Sequence, residues 1–248
     1  MGNVLITGGT GTLGKPTTTQ LRAAGHDVRV LSRRCGPCLL TGDLISGQGV
    51  HEALRDVQTV MHLATSAGDD RATSTLVRAC RATSTIEHVI VVSIVGVDRI
   101  PLPYYRRKLA SERIVAASGI PYTILRATQF HDLVVRLFTA QRWSPVLLTP
   151  AFSIQPIEVT EVAARLVELC AGTPSHRVPD IGGPKVLSGR AMARQWAAWA
   201  GTRRPVRAVR LPGRTFAAYR SGHHLVPGPT FGVHTFAQHL GDRTQADA

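Results

Sequence analysis

Apolar and polar positions along this chain alternate in short blocks of two kinds, tight apolar runs and longer stretches with helical spacing. Val4-Leu5-Ile6 is an apolar run that ends in Thr7 and a glycine-rich turn. From Leu13 to Ala24 the spacing predicts a helix, with Leu21 and Ala24 on its inner face. Gly25 stands where a left-handed helix cap is favoured, and Val28-Arg29-Val30-Leu31 begins a second strand. One strand–helix–strand unit is therefore complete within about thirty residues.

The alternation continues with a helix at Val50 to Leu54, a strand Thr59 to His62, a helix Thr73 to Arg81 and the strongly apolar strand His88 to Ser93. A helix from Tyr104 to Ser118, a strand Tyr122 to Arg126 and a helix from Gln129 complete the series. Strands this apolar on both faces belong in a parallel sheet covered by helices. The pattern predicts an α/β fold, a doubly wound parallel sheet of the Rossmann type. Beyond Pro145 the regularity falls, with helices at Thr160 to Ala171 and Ser188 to Ala200 among Pro and Gly. This part reads as a small extension, 151–240, over the carboxyl edge of a core spanning 1–150, all in one domain. The polar end from Gly241 is expected to fray.

Composition narrows the function classes. With 248 residues and 44% hydrophobic content the chain can bury a full α/β core. No run approaches the roughly 18 apolar residues of a membrane span, and no secretory signal opens the chain, so a cytoplasmic protein off the membrane is expected. The net charge of +13 invites a nucleic-acid reading, but only Lys15, Lys108 and Lys185 are lysines and the arginines are spread along the chain. Specific nucleic-acid binding is not expected, although weak affinity for polyanions at low salt is. Cys35-Gly36-Pro37-Cys38 spells a thioredoxin-type tetrapeptide, but it falls in a connection after the second strand and reads as two reduced loop thiols.

The first turn carries the clearest chemistry. Thr7-Gly8-Gly9-Thr10-Gly11-Thr12-Leu13-Gly14 follows a strand and opens a helix, so its glycines allow a tight turn and close approach of a pyrophosphate to the helix amides. Thr7, Gly8, Gly11, Thr12, Leu13 and Gly14 are thus candidate dinucleotide-binding residues. The second strand ends in Ser32-Arg33-Arg34, where an NAD-preferring site would place a carboxylate. Arg33 and Arg34 suit a 2′-phosphate, which favours NADP(H), or else belong to the arginine-rich surface. Asp43 either accepts a hydrogen bond from the adenine amino group or serves as an ordinary turn carboxylate.

In order along the chain, these glycines, Gly42-Asp43-Leu44, His62-Leu63-Ala64-Thr65, Ser93, Tyr104-Tyr105-Arg106-Arg107-Lys108 and Gly119-Ile120-Pro121-Tyr122-Thr123-Ile124-Leu125-Arg126 resemble the short-chain dehydrogenase/reductases, in their atypical, NmrA-like branch. The resemblance runs over residues 3–170 and more loosely beyond. It implies that Leu44, Leu63, Ala64 and Thr65 line the cofactor. Tyr104 and Lys108 share one helix face, and a tyrosine works near neutrality when a cation stabilises its phenolate. Lys108 would supply that charge and hold the nicotinamide ribose, and Ser93 would hydrogen-bond a substrate carbonyl. Tyr105 is a competing tyrosine, about 100° around the helix.

His131 stands just after the fifth strand and either touches substrate or is held in a partly buried turn. His223 and His224 lack the partners of a metal site, and none is assigned. Phe130 and Phe152 are pocket candidates for an apolar or cyclic compound, whereas Trp196 and Trp199 have the spacing of core residues. The expected protein is an NADPH-dependent oxidoreductase of a small-molecule carbonyl or alcohol, monomeric or homodimeric. The alternative is an NmrA-like regulator that senses NADP(H) without turnover.

Overall fold

The computed structural model describes residues 2–65 and 68–246. In chain order the elements are β1 (Asn3–Thr7), α1 (Gly14–Ala23), β2 (Asp27–Ser32), β3 (Leu39–Thr41), α2 (Val50–Ala53), β4 (Thr59–His62), α3 (Asp69–Arg81), β5 (His88–Ile94), α4 (Pro103–Ala116) and β6 (Tyr122–Ala127). There follow α5 (His131–Thr139), β7 (Leu147–Pro150), β8 (Ser153–Ile154), α6 (Val159–Ala171), β9 (His176–Arg177), β10 (Leu187–Ser188), α7 (Gly189–Trp199), β11 (Val206–Val209), α8 (Arg214–Arg220) and α9 (Phe236–Ala246). These elements form two compact units, and the chain passes between them more than once.

The first unit holds residues 1–93, 103–126 and 159–179. Its seven-stranded sheet has the order β3-β2-β1-β4-β5-β6-β9, with parallel pairing of β1 to both β2 and β4, of β2 to β3, of β4 to β5 and of β6 to β9. Strand order reverses between β1 and β4, the point at which open α/β sheets bind ligands beyond their carboxyl ends. Leu5, Val60 and Val89 of the strands pack with Leu54, Leu76 and Val115 into one continuous core, all almost fully buried. Helix α1 packs on α6, with Gln20 Nε2 donating to the Thr160 carbonyl at 3.1 Å. The segment holding α6 and β9, which the sequence pattern assigns to the extension, therefore belongs to the sheet unit. The apolar stripe Val162, Ala163 and Leu166 gives the physical reason, because it is fully buried there.

The second unit holds residues 94–102, 127–158 and 180–248. Phe138, Leu147, Met192, Trp196, Phe236 and Leu240 form its core, with the Phe138 and Trp196 rings 5.8 Å apart. Two small sheets, β11 parallel to β7 and β10 antiparallel to β8, complete it. The buried amide of Gln155 ties three segments together by donating to Gly183 O at 2.9 Å and accepting from Val226 N at 2.8 Å.

The chain end departs from expectation. Helix α9 runs to Ala246 where fraying is expected from Gly241, and Asp247 and Ala248 lie outside the described residues. Polar contacts hold it, among them Arg243 to Asp132 at 3.0 Å, His239 to Glu158 at 2.6 Å, His234 to Asp242 at 3.0 Å and the Trp199 indole N–H to Thr244 Oγ1 at 2.7 Å. Among the described residues no helix is long and apolar enough to cross a membrane.

Candidate functional site

The site is built at the carboxyl ends of the first unit's parallel strands. β1 ends in Thr7, and Gly8 follows with a φ of 76°, a conformation that L side chains rarely adopt. A Cβ on Gly8 would lie 2.6 Å from Ala64 N, and one on Gly14 would lie 2.1 Å from Gly8 O. The glycines thus let the turn after β1 press against the turn after β4 while α1 starts directly above it. Gly11 and Thr12 at the tip are exposed, and Leu13 is buried beneath them. The first turn of α1 has no acidic side chain and no side-chain cap, so the helix itself presents free amides and no carboxylate of its own to an anion at its N-terminus. The cradle fits a dinucleotide pyrophosphate.

Thr7 is buried, and its hydroxyl lies 2.7 Å from His62 Nδ1. His62 Nε2 meets Thr73 Oγ1 at 3.0 Å, and that hydroxyl donates to the Asp69 carbonyl at 2.6 Å. A hydroxyl has one proton, so Thr73 accepts from His62 and the imidazole carries its hydrogen on Nε2. Nδ1 then accepts from Thr7, whose side chain points into the fold and leaves its backbone for the loop. Burial, with the Lys108 cation second, pulls the His62 pKa down to about 3, which keeps the ring neutral. His62 therefore braces the glycine turn against α3.

Around this centre, Arg33 and Arg34 are exposed just beyond β2, and Arg34 N donates to Ser32 Oγ at 3.0 Å. Asp43 Oδ1 accepts from Ile45 N at 3.0 Å, so one carboxylate oxygen holds its own turn, and Leu44 beside it is buried. Leu63 and Ala64 are half-buried and Thr65 is exposed. Cys35 and Cys38 are exposed thiols in a turn that leads into β3. No helix starts there, so the tetrapeptide lacks the helix N-terminus on which thioredoxin-type chemistry is built.

Ser93, near the end of β5, is 3% exposed, and its Oγ has no hydrogen-bond partner among the described residues. Helix α4 opens with Pro103, which suits the first helical position, and places Tyr104 in its first turn. Tyr104 is half-buried, whereas Tyr105 is 3% exposed, so the competing tyrosine belongs to the packed interior. Burial pushes the Tyr104 pKa up; a hydrogen bond with the Thr65 side chain opposes this, and the charges of Asp69 and Tyr105 add to it. Lys108, one turn on, is buried and ion-paired with Asp69 Oδ2 at 3.3 Å. Asp69 is the residue the sequence pattern does not single out. Its acidic neighbour Asp70 marks a helix start, but nothing local announces a partner on another helix.

The three remaining candidates lie in the second unit. Phe130 pairs by a β-bridge with Ile157. His131 is 1% exposed at the start of α5, with its Nε2 donating to His234 O at 3.1 Å and its ring 5.1 Å from that of His239. Burial lowers its pKa to about 4. Phe152 stacks on Tyr219 at 4.9 Å, with His224 edge-on at 5.6 Å. His131 and Phe152 thus sit in separate ring clusters. Among the described residues no group of three or more His, Cys, Asp or Glu side chains is placed to hold a metal.

Comparison with known proteins identifies the family and the fold. A family model described as NAD(P)H-binding matches residues 8–169. A (4-alkanoyl-5-oxo-2,5-dihydrofuran-3-yl)methyl phosphate reductase of Streptomyces griseus is 26% identical over 208 residues, 77% of this chain and 72% of that protein. The photosystem II assembly factor Ycf39 of Trieres chinensis is 27% identical over 155 residues, 55% of this chain, which spans about half (48%) of that relative's length. Among solved structures, the NADPH-dependent quinone oxidoreductase QOR2 of Escherichia coli in complex with NADPH superposes with a TM-score of 0.83 at 17% identity, covering 97% of this chain and 99% of that one. The triphenylmethane reductase of Citrobacter sp. with NADP(H) gives 0.81 at 15% identity, with the same coverage. At these identities the structural likeness shows the fold.

Proposed function

This chain belongs to the NAD(P)H-binding family, and on that premise we propose that it is an NADPH-dependent reductase of a small carbonyl compound, or in reverse a dehydrogenase of the alcohol. The observation that carries the reading is Ser93, whose buried hydroxyl has no hydrogen-bond partner among the described residues and which lies in the same unit as the glycine cradle and Tyr104. A buried hydroxyl without a partner is costly, and a substrate oxygen would satisfy it. When bound, the nicotinamide supplies hydride to the carbonyl carbon. Ser93 donates a hydrogen bond to the carbonyl oxygen, and the Tyr104 O–H gives its proton to the same oxygen as the alcohol forms. The exposed guanidinium groups of Arg33 and Arg34 hold a 2′-phosphate, and the backbone of 7–14 holds the pyrophosphate. The Streptomyces relative, named as a reductase, supports reductive chemistry.

A second reading, a protein that senses NADP(H) without turnover, is favoured by the Asp69–Lys108 ion pair, which engages the cation that would otherwise serve Tyr104. Titration with NADPH, followed by an NADPH-oxidation screen against ketones, aldehydes and quinones, separates the two. The reductase reading expects Tyr104→Phe to bind NADPH as the wild type does and to lose turnover by about a hundredfold or more. Tight NADPH binding with turnover on no compound, and binding indifferent to the Tyr104 hydroxyl, would reverse the preference; turnover that survives Tyr104→Phe would instead remove Tyr104 as the proton donor.

A further inference from the structure

Helix α4 meets the segment after β4 through two contacts in step: Tyr104 with the side chain of Thr65, and Lys108 with Asp69. Tyr104 and Lys108 are four residues apart, as are Thr65 and Asp69. The Lys108 and Asp69 side chains are 7% and 2% exposed, so this pair is screened from water. In a bare tyrosine–lysine pair the ammonium draws the phenol toward phenolate. Here the ammonium already faces a carboxylate of the fold.

We infer that Asp69 is a positioning residue for proton transfer: its carboxylate holds the Lys108 ammonium in a buried ion pair one helical turn from Tyr104, so that Tyr104 enters the reaction as the neutral phenol. The inference rests on the reading of Tyr104 as the proton donor. Burial raises the Tyr104 pKa first and the negative charge of Asp69 raises it further, while the same carboxylate engages the Lys108 cation at 3.3 Å. Among the described residues, the other groups facing this corner are Thr65 from the β4–α3 turn, Tyr105 on α4 and neutral His62 at the end of β4. Ser111, on the same helix, engages Thr73 at 3.0 Å. A phenol kept neutral is the donor form, and the step breaks its O–H bond, forms one on the substrate oxygen and leaves a phenolate that solvent reprotonates.

The test is a spectrophotometric titration of the Tyr104 phenol in the 248-residue chain, with no substrate present. Each form is measured as its difference from the matching Tyr104→Phe protein, which removes the signal of the other tyrosines. Asp69→Asn is expected to titrate at least about one pH unit below the wild type, a tenfold change in proton concentration. Asp69→Asn/Lys108→Met, which removes both members of the pair, is expected between the two. An Asp69→Asn midpoint at or above that of the wild type would overturn the inference. If the single variant does not fold, a double-variant midpoint at or above the wild type does so instead. Absence of turnover in the carbonyl screen counts against the reductase reading alone, because the phenol titration needs no reaction.

Discussion

At the scale of single residues, the site depends on which polar groups are engaged inside the protein and which are left for ligands. Thr7, His62 and Thr73 satisfy one another in the interior, whereas the Ser93 hydroxyl has no partner among the described residues and Arg33 and Arg34 are exposed. Replacing Arg33 and Arg34 with alanine removes charge-assisted hydrogen bonds worth about 1.5–3 kcal/mol each, about 3–6 kcal/mol together, which converts to roughly a hundred- to ten-thousandfold in affinity. NADPH affinity, followed by fluorescence titration, is therefore expected to fall by that factor while NADH affinity stays the same. Equal losses for both cofactors would sink the assignment of these arginines to the 2′-phosphate. The glycine turn and Arg33-Arg34 are legible in sequence because their chemistry is local. Asp69 is not, since a carboxylate in the first turn of a helix reads the same whether it faces water or a lysine 39 positions away.

At the scale of elements, α4 is unusual in burying charge. Its inner face holds Tyr105, Lys108, Ser111, Glu112 and Val115, and Glu112 receives both Nε (2.8 Å) and Nη2 (2.7 Å) of Arg126 on β6. A bidentate pair this deeply buried locks the helix to the strand, and removing one partner typically costs about 3–5 kcal/mol. Glu112→Leu is expected to lower stability by that amount in denaturant unfolding. Glu112→Leu/Arg126→Met should recover most of it; a double variant as unstable as the single would refute the pairing argument. Long periodic elements are readable from sequence, with shifts at their ends: α3 begins at Asp69 and not at Thr73, since its acidic first turn extends the helix beyond the apolar stripe. The three-residue strand β3 shows no period of its own and exists because the edge of β2 is open to pair with it.

At the scale of the whole molecule, two buried neutral histidines, His62 in the first unit and His131 in the second, link stability to pH. Their folded pKa values lie near 3 and near 4, against about 6.5 in the unfolded chain. Each thus contributes stability that is fully present above about pH 6.5 and is lost as pH falls toward those values, at about 1.4 kcal/mol per pH unit. Between pH 6.5 and 5 the loss should be about 2 kcal/mol per ring. The chain's three tryptophans, Trp143, Trp196 and Trp199, all lie in the second unit, which holds His131 and also His224, whose pKa burial lowers, so their fluorescence reports the unfolding of that unit, while circular dichroism follows both units. Unfolding free energies that stay level from pH 7 to pH 5 would contradict this linkage. By itself, the sequence determined the parallel α/β sheet, the glycine cradle for a dinucleotide and the helix face shared by Tyr104 and Lys108. All of these arise from periodicity, glycine conformation or neighbours within one helical turn. Only the tertiary structure decided that Tyr105 is interior, that His62 braces the glycine turn, that Asp69 engages Lys108, and that α6 joins the sheet while α9 stays helical. Each of these depends on a partner distant in the chain, and burial, which sets the strength and sign of every such interaction, exists only once the chain has folded.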